Sequence, residues 1–304
     1  MLLCNSTVST LLKHHFPAVV AEGMAPPQRI HLPPVKIHME WQRRRRPGAG
    51  LYNPGTTCFV NAVLQCLTYT PPLANYLLSR EHSSSCRQQG FCMMCIMEAH
   101  VNNVLHTSAI LTTSFLEIGD YFKLGMPGDA YAFLHCTVTA MHRACTSGHS
   151  DCDISTQATT IIHQIFVGFV RSRGISPFSP LQAASSVTAA LENFVKPKQL
   201  GGENSFRCTL LVSPQFFSYP LYLDLGPYLS QAAGEPLHYA LYAVLVHSGE
   251  SCHEGHFFCY IKASNGLWYR MDDTSVTCCG LYTVLKQEAY LLLYACRPIS
   301  RGRN

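Results

Sequence analysis

The strongest constraint on this chain is a change of period two-thirds of the way along it. From Gly48 to Met141 the apolar residues recur at helical spacing, whereas beyond Pro220 they gather in short runs rich in Leu, Tyr, Val and Phe. The first half predicts helices at Cys58 and onward to the residue before Thr70-Pro71-Pro72, then at 73–78, 91–106, 114–122 and 130–141, with a further one at 187–195. The last of the first-half helices carries Ala130, Phe133, Leu134, Val138 and Met141 on one face. The second half predicts strands at 240–246, 256–262, 267–271 and 289–294, and Asn265-Gly266 between two of them is a hairpin signal. Helices first and strands after give an α+β chain whose sheet is antiparallel.

Composition narrows the class. Charged residues make up 13% of 304, yet no apolar run approaches the length of a bilayer span, so a soluble protein without a membrane partner is expected. Met1 to Ser6 carry no basic stretch, and Lys13, His14 and His15 break the apolar run that follows, which argues against a secretory signal. The fifteen cysteines are odd in number and without repeat, which favours a reducing compartment over a disulfide framework and leaves the Asn5-Ser6-Thr7 sequon without meaning. A net charge of +4 is too small to argue for nucleic acid. Four positive charges sit together in Arg43-Arg44-Arg45-Arg46, a nuclear-targeting patch or equally a solvated linker. Residues 1–46, interrupted by Pro26, Pro27, Pro33 and Pro34, read as a disordered lead-in.

One cysteine stands apart. The turn Gly50-Leu51-Tyr52-Asn53-Pro54-Gly55-Thr56-Thr57 delivers Cys58 to the first turn of a helix, where free backbone N–H groups and the helix dipole favour thiolate. A small buried hydrophobe is the competing account of such a residue. A nucleophile needs a base and an orienting group. His256 opens one predicted strand and Asp272 closes the next, and a hairpin closed near Gly266 brings those ends together. Asn53, five residues before Cys58, could turn its amide to a developing oxyanion, or simply form the turn before Pro54.

These residues resemble the ubiquitin-specific proteases, nearest the branch that holds the seventeen-like and thirty-six enzymes. The likeness is carried by residues 48–62, 65–77 and 242–249, Gly255-His256 through Tyr260, Trp268 through Asp273, and 289–294. It implies a papain-like cysteine protease fold with a helical thumb bearing Cys58 and an antiparallel β palm bearing His256 and Asp272. On that reading Asn53 is the oxyanion donor, Asp273 a supporting acid, and Asp129 and Phe257 contact substrate. The partner would be ubiquitin and ubiquitinated proteins, the chain a monomer of cytoplasm and nucleus, and the chemistry free of metal or other cofactor. The implied layout is a catalytic domain over 47–298, with thumb 47–170, a truncated fingers remnant 171–218 and palm 219–298, followed by a tail 299–304.

The departures from the family pattern set the alternative. The residue two before the cysteine is Thr56 where the family has asparagine, Phe257 stands for a tyrosine, and of the acidic box only Asp129 survives. The two Cys-x-x-Cys pairs of the family's fingers are absent around Arg173–Phe178 and reduced to Cys208, so the fingers read as shortened and the palm as short of a strand. The one remaining pair, Cys92 and Cys95, with Cys86 and His100 nearby, does not make a four-ligand pattern by spacing, and no zinc is expected there. A diverged copy that keeps the catalytic residues but cannot hold ubiquitin is the second reading.

Overall fold

The computed structural model describes residues 2–4, 30–33, 36–107, 128–146, 154–167, 185–195, 218–228, 238–251 and 254–297. The predicted helix at 114–122, Cys208 and most of the expected fingers remnant lie outside these residues. In chain order the elements are strand β1 (Leu2–Cys4) and helices α1 (Cys58–Thr68), α2 (Pro71–Ser79), α3 (Glu81–Ser85), α4 (Met93–His106), α5 (Ala130–Cys145), α6 (Ile154–Gln157), α7 (Ile161–Phe166) and α8 (Val187–Val195). Then come β2 (Tyr222–Asp224), β3 (His238–Ser251), β4 (Glu254–Lys262), β5 (Trp268–Asp272), β6 (Ser275–Cys279), helix α9 (Leu281–Leu285) and β7 (Ala289–Cys296).

The strands form one antiparallel sheet in the order β1-β7-β3-β4-β5-β6, with β2 also pairing β3. Both faces are covered, which is why the strand runs are apolar throughout rather than alternating with polar residues. Ala243, Leu245, Phe257, Cys259, Ile261, Met271, Leu291 and Leu293 point to the helical side, where α1, α2, α4 and α5 complete the larger core. Their neighbours Val244, Val246, Phe258, Tyr260, Trp268 and Leu292 point the other way, onto Val187 and Leu191 of α8, Tyr219 and Val284 of α9. A register shift between Leu241 and Ala243 against β7 turns Tyr242 onto the helical face. There its hydroxyl meets that of Thr70, 2.9 Å away.

Helix α1 is buried along its whole length, so its polar residues must find partners inside. Asn61 and Gln65, one turn apart, donate to the carbonyls of Leu51, Tyr52 and Ala49 and so hold the segment before Cys58 against the helix. The same segment hydrogen bonds outward, Ala49 N–H to the Val104 carbonyl at 3.0 Å and Leu51 N–H to the Asp273 carbonyl at 2.8 Å. Gly48 and Gly50 are required there, because a Cβ would lie 2.1 Å from the Val104 oxygen and 2.3 Å from the Thr274 oxygen respectively.

The described part of the lead-in departs from the expected disorder. Leu2–Cys4 pair with Leu291–Leu293, Leu32 is buried, Trp41 packs edge-on against Tyr69, and Asn75 donates to the carbonyls of His38 and Glu40. Within the arginine run, Arg45 is tied through its backbone N–H to Ser264. These are single apolar insertions and side-chain to backbone bonds, which leave no period in a sequence. Among the described residues no helix is long and apolar enough to cross a membrane.

Candidate active site

Cys58 occupies the first position of α1 behind Thr57, and its side chain is nearly buried. Burial pushes the thiol above its ordinary value. The backbone N–H of Phe257 pulls the other way, the charge of Asp273 adds to the rise, and the amides of Phe59 and Cys58 itself again favour thiolate. Burial prevails, so the sulfur rests as a thiol at neutral pH and needs a base. The two halves of the molecule meet here: Cys58 shares one core cluster with Phe257, the residue next to His256 on β4, whose amide favours the thiolate.

On β4 and β5 the hairpin delivers what its sequence promised. The turn closes through Gly266, held at φ 86°, with Ala263 N–H bonded to the Leu267 carbonyl and Gly266 N–H to that of Ala263. Lys262 pairs with Trp268 and Cys259 with Met271, and at the open end His256 Nε2 donates to Asp272 Oδ1 over 2.6 Å. That bond leaves Nδ1 as the basic nitrogen. The other Asp272 oxygen accepts from Arg270 at 2.6 Å, while the Arg270 guanidinium lies over the Phe258 ring and the His256 ring stacks on the same phenyl group. Arg270 is a site residue that sequence reasoning overlooked. Its signal was present, since residues two apart on a strand share a face. Among the described residues no hydrogen bond joins His256 to Cys58.

Asp273 does something other than flank the histidine. It sits in the tight turn between β5 and β6 at φ 48°, and its carboxylate accepts from Asn53 Nδ2 at 2.9 Å and Asn61 Nδ2 at 2.8 Å. The Asn53 carbonyl oxygen in turn accepts from the N–H groups of Gly55 and Thr57. Asn53 is thereby clamped from both ends, and among the described residues one of its two amide hydrogens has no acceptor. The Asp273 carboxylate also lies within 4.8 Å of a His256 ring nitrogen.

The two residues expected to contact substrate are engaged internally. Asp129 caps α5 through the Ala132 N–H at 2.7 Å, and its second oxygen accepts from the Tyr290 hydroxyl. The Phe257 ring is 4% exposed, packed between His247 and Tyr290, so it supports the site from beneath. His247, which no sequence signal singled out, joins this cluster with its basicity lowered, first by burial and then against the opposing pull of Asp129.

Comparison with known proteins supplies the context. The sequence pattern of the family described as ubiquitin carboxyl-terminal hydrolase matches residues 49–176 and 213–294. The chain is 46% identical over 328 residues to ubiquitin carboxyl-terminal hydrolase 42 of Homo sapiens, a match spanning 90% of this chain and 25% of that protein. It is 42% identical to the human ubiquitin carboxyl-terminal hydrolase 17-like proteins 12 and 6, which cover 94% of this chain and 64% and 85% of theirs. The chain thus spans a quarter of one such relative and less than two-thirds of another. Among solved structures it resembles a chain of the SAGA DUB module Ubp8/Sgf11/Sus1/Sgf73 bound to monoubiquitin, with TM-score 0.66, 22% identity, and coverage of 88% of this chain and 73% of that one. A second likeness, to the same module bound to ubiquitin aldehyde, has TM-score 0.64 at 19% identity. At such identity the likeness speaks to fold alone, a helical thumb on an antiparallel palm of the papain-like type.

Proposed function

The chain belongs to the ubiquitin carboxyl-terminal hydrolase family, and from that premise we propose that it is a thiol-dependent deubiquitinase acting at the C-terminal glycine of ubiquitin. The observation that carries this reading is the meeting of Cys58, favoured as thiolate by the Phe257 amide, with the strand whose His256 is bonded to Asp272. With its Nε2–H held by Asp272, His256 presents Nδ1 to accept the proton that burial keeps on Cys58. The thiolate adds to the glycine carbonyl carbon. The resulting oxyanion is met by the helix N-terminal amide and by the free amide hydrogen of Asn53, and His256 then returns its proton to the departing lysine or backbone amine. Water, deprotonated by the same imidazole, cleaves the thioester and frees ubiquitin. Asp273 acts in this scheme by holding Asn53 in place.

Ubiquitin as partner is supported by what the two solved modules carry. Incubation with ubiquitin bearing a C-terminal electrophile tests the reading directly: a stoichiometric adduct on Cys58 is expected. A folded chain that binds ubiquitin yet forms no adduct, under conditions that label a 17-like relative, would overturn the catalytic role. A folded chain that neither binds nor reacts would be the diverged copy, an outcome made concrete by the internal engagement of Asp129.

A further inference from the structure

Elsewhere in the helical half, one stretch gets little from the core beyond the partly buried Cys86. From Glu81 to Phe91 no residue is buried: α3 buries none of its side chains, and the chain leaves it through Cys86 into an exposed loop that passes Gly90 at φ 82°. Such a stretch gains little from apolar burial, and a metal is one way a chain can hold it. At its base, where α4 begins, four side chains converge. His82 Nε2, Cys86 Sγ, Cys92 Sγ and Cys95 Sγ all lie within 4.8 Å of one another. Cys86 and Cys92 sulfurs are 3.8 Å apart, and His82 Nε2 is 3.2 Å from Cys92 Sγ. A sulfur pair at that distance is not a disulfide. It is the spacing of two corners of a zinc tetrahedron, since bonds of about 2.3 Å to sulfur and about 2.0 Å to nitrogen set the ligand atoms roughly 3.5–3.8 Å apart.

We propose that His82, Cys86, Cys92 and Cys95 form a closed, structural zinc site that staples α3 and its following loop to the N-terminus of α4. Four protein ligands leave no open position, so the metal takes no part in hydrolysis. Its effect is on the scaffold, because α4 packs on α2 and α5, the helices beside the one that bears Cys58. The sequence expectation of no metal rested on pairing the cysteines with His100, which is buried in the core. His82, four residues before Cys86 on a helix the periodicity did not reveal, supplies the nitrogen instead.

The site stands independently of the catalytic proposal and is read out without activity. Elemental analysis of the full chain, purified without added zinc, is expected to give about one zinc per chain. Expression in cobalt-supplemented medium is expected to give the thiolate-to-metal charge transfer and visible bands of tetrahedral cobalt. Cys92→Ser and His82→Ala should lower bound zinc at least tenfold, while Cys278→Ser, at an exposed cysteine outside the cluster, should retain it. Should those ligand variants fail to fold, His82→Cys preserves four ligands and is expected to keep zinc with an altered cobalt spectrum. Substoichiometric zinc in the parent chain, a Cys86–Cys92 disulfide in its place, undiminished zinc in a folded Cys92→Ser or a folded, zinc-free His82→Cys would each overturn the assignment.

Discussion

Asp272 holds His256 and Arg270 at once, one on each carboxylate oxygen. Asp272→Asn would keep the size of the side chain but can present its amide to the imidazole, which then takes the wrong tautomer. A fall in kcat of about 10³–10⁴ with KM little changed is expected in ubiquitin hydrolysis. A change confined to KM would mean that Asp272 only shapes the surface. Cys58 invites a second test. Because burial raises its thiol above the ordinary range, alkylation of the free chain by iodoacetamide should be slow at neutral pH and need more alkaline conditions than an exposed cysteine such as Cys278. Peptide mapping that found Cys58 fully labelled in mild acid would show a thiolate already formed. Both residues were legible from local pattern alone, a helix start after a glycine turn and two strand ends flanking Asn265-Gly266. The partner of Asp273 was not, since nothing in Asp272-Asp273 distinguishes the acid that faces histidine from the one that faces Asn53 and Asn61.

Among the elements, α1 and the segment before it behave as one unit. Asn61 serves the carbonyls of Leu51 and Tyr52 and the Asp273 carboxylate, so Asn61→Ala strands one buried and two part-buried acceptors. A loss of about 1–3 kcal/mol in urea unfolding is expected, with a loss of turnover beyond it as Asn53 loosens. Gly50→Ala meets the Thr274 backbone and should cost a similar amount by overpacking, whereas Gly280→Ala, with nothing near its Cβ, should leave the midpoint unchanged. Equal effects at both glycines would deny the close approach. The longer elements were legible because their periods are strong: α8 spans Val187–Val195 as its sequence indicates, and β4, β5 and β7 fall within two residues of expectation. The short ones, α3, β2, β6 and α9, were not. Three to five residues give too few repeats to display a period, and their existence depends on what they pack against or pair with.

At the scale of the whole molecule, acid should loosen the helical half. Burial lowers His100 to about 4, and burial with the neighbouring charge of His142 lowers His163 to about 4. Each stays neutral when folded but charges near about 6.5 when unfolded, so the unfolded chain binds more protons between those values. Stability is therefore complete above about pH 6.5 and declines as pH falls toward about 4. Denaturant midpoints measured across that window should fall less in His100→Leu than in the parent, and an identical slope would remove His100 from the account. The sequence by itself determined the order of helices and strands, the helix-start cysteine and the hairpin that pairs His256 with Asp272, because periodicity and turn chemistry act over neighbouring residues. Only the tertiary structure decided that Asp273 clamps Asn53, that Asp129 and Phe257 are engaged within the fold, and that His82 rather than His100 meets three sulfurs. Those outcomes depend on separations of a few ångströms between groups on different elements, which packing sets and a one-dimensional pattern does not contain.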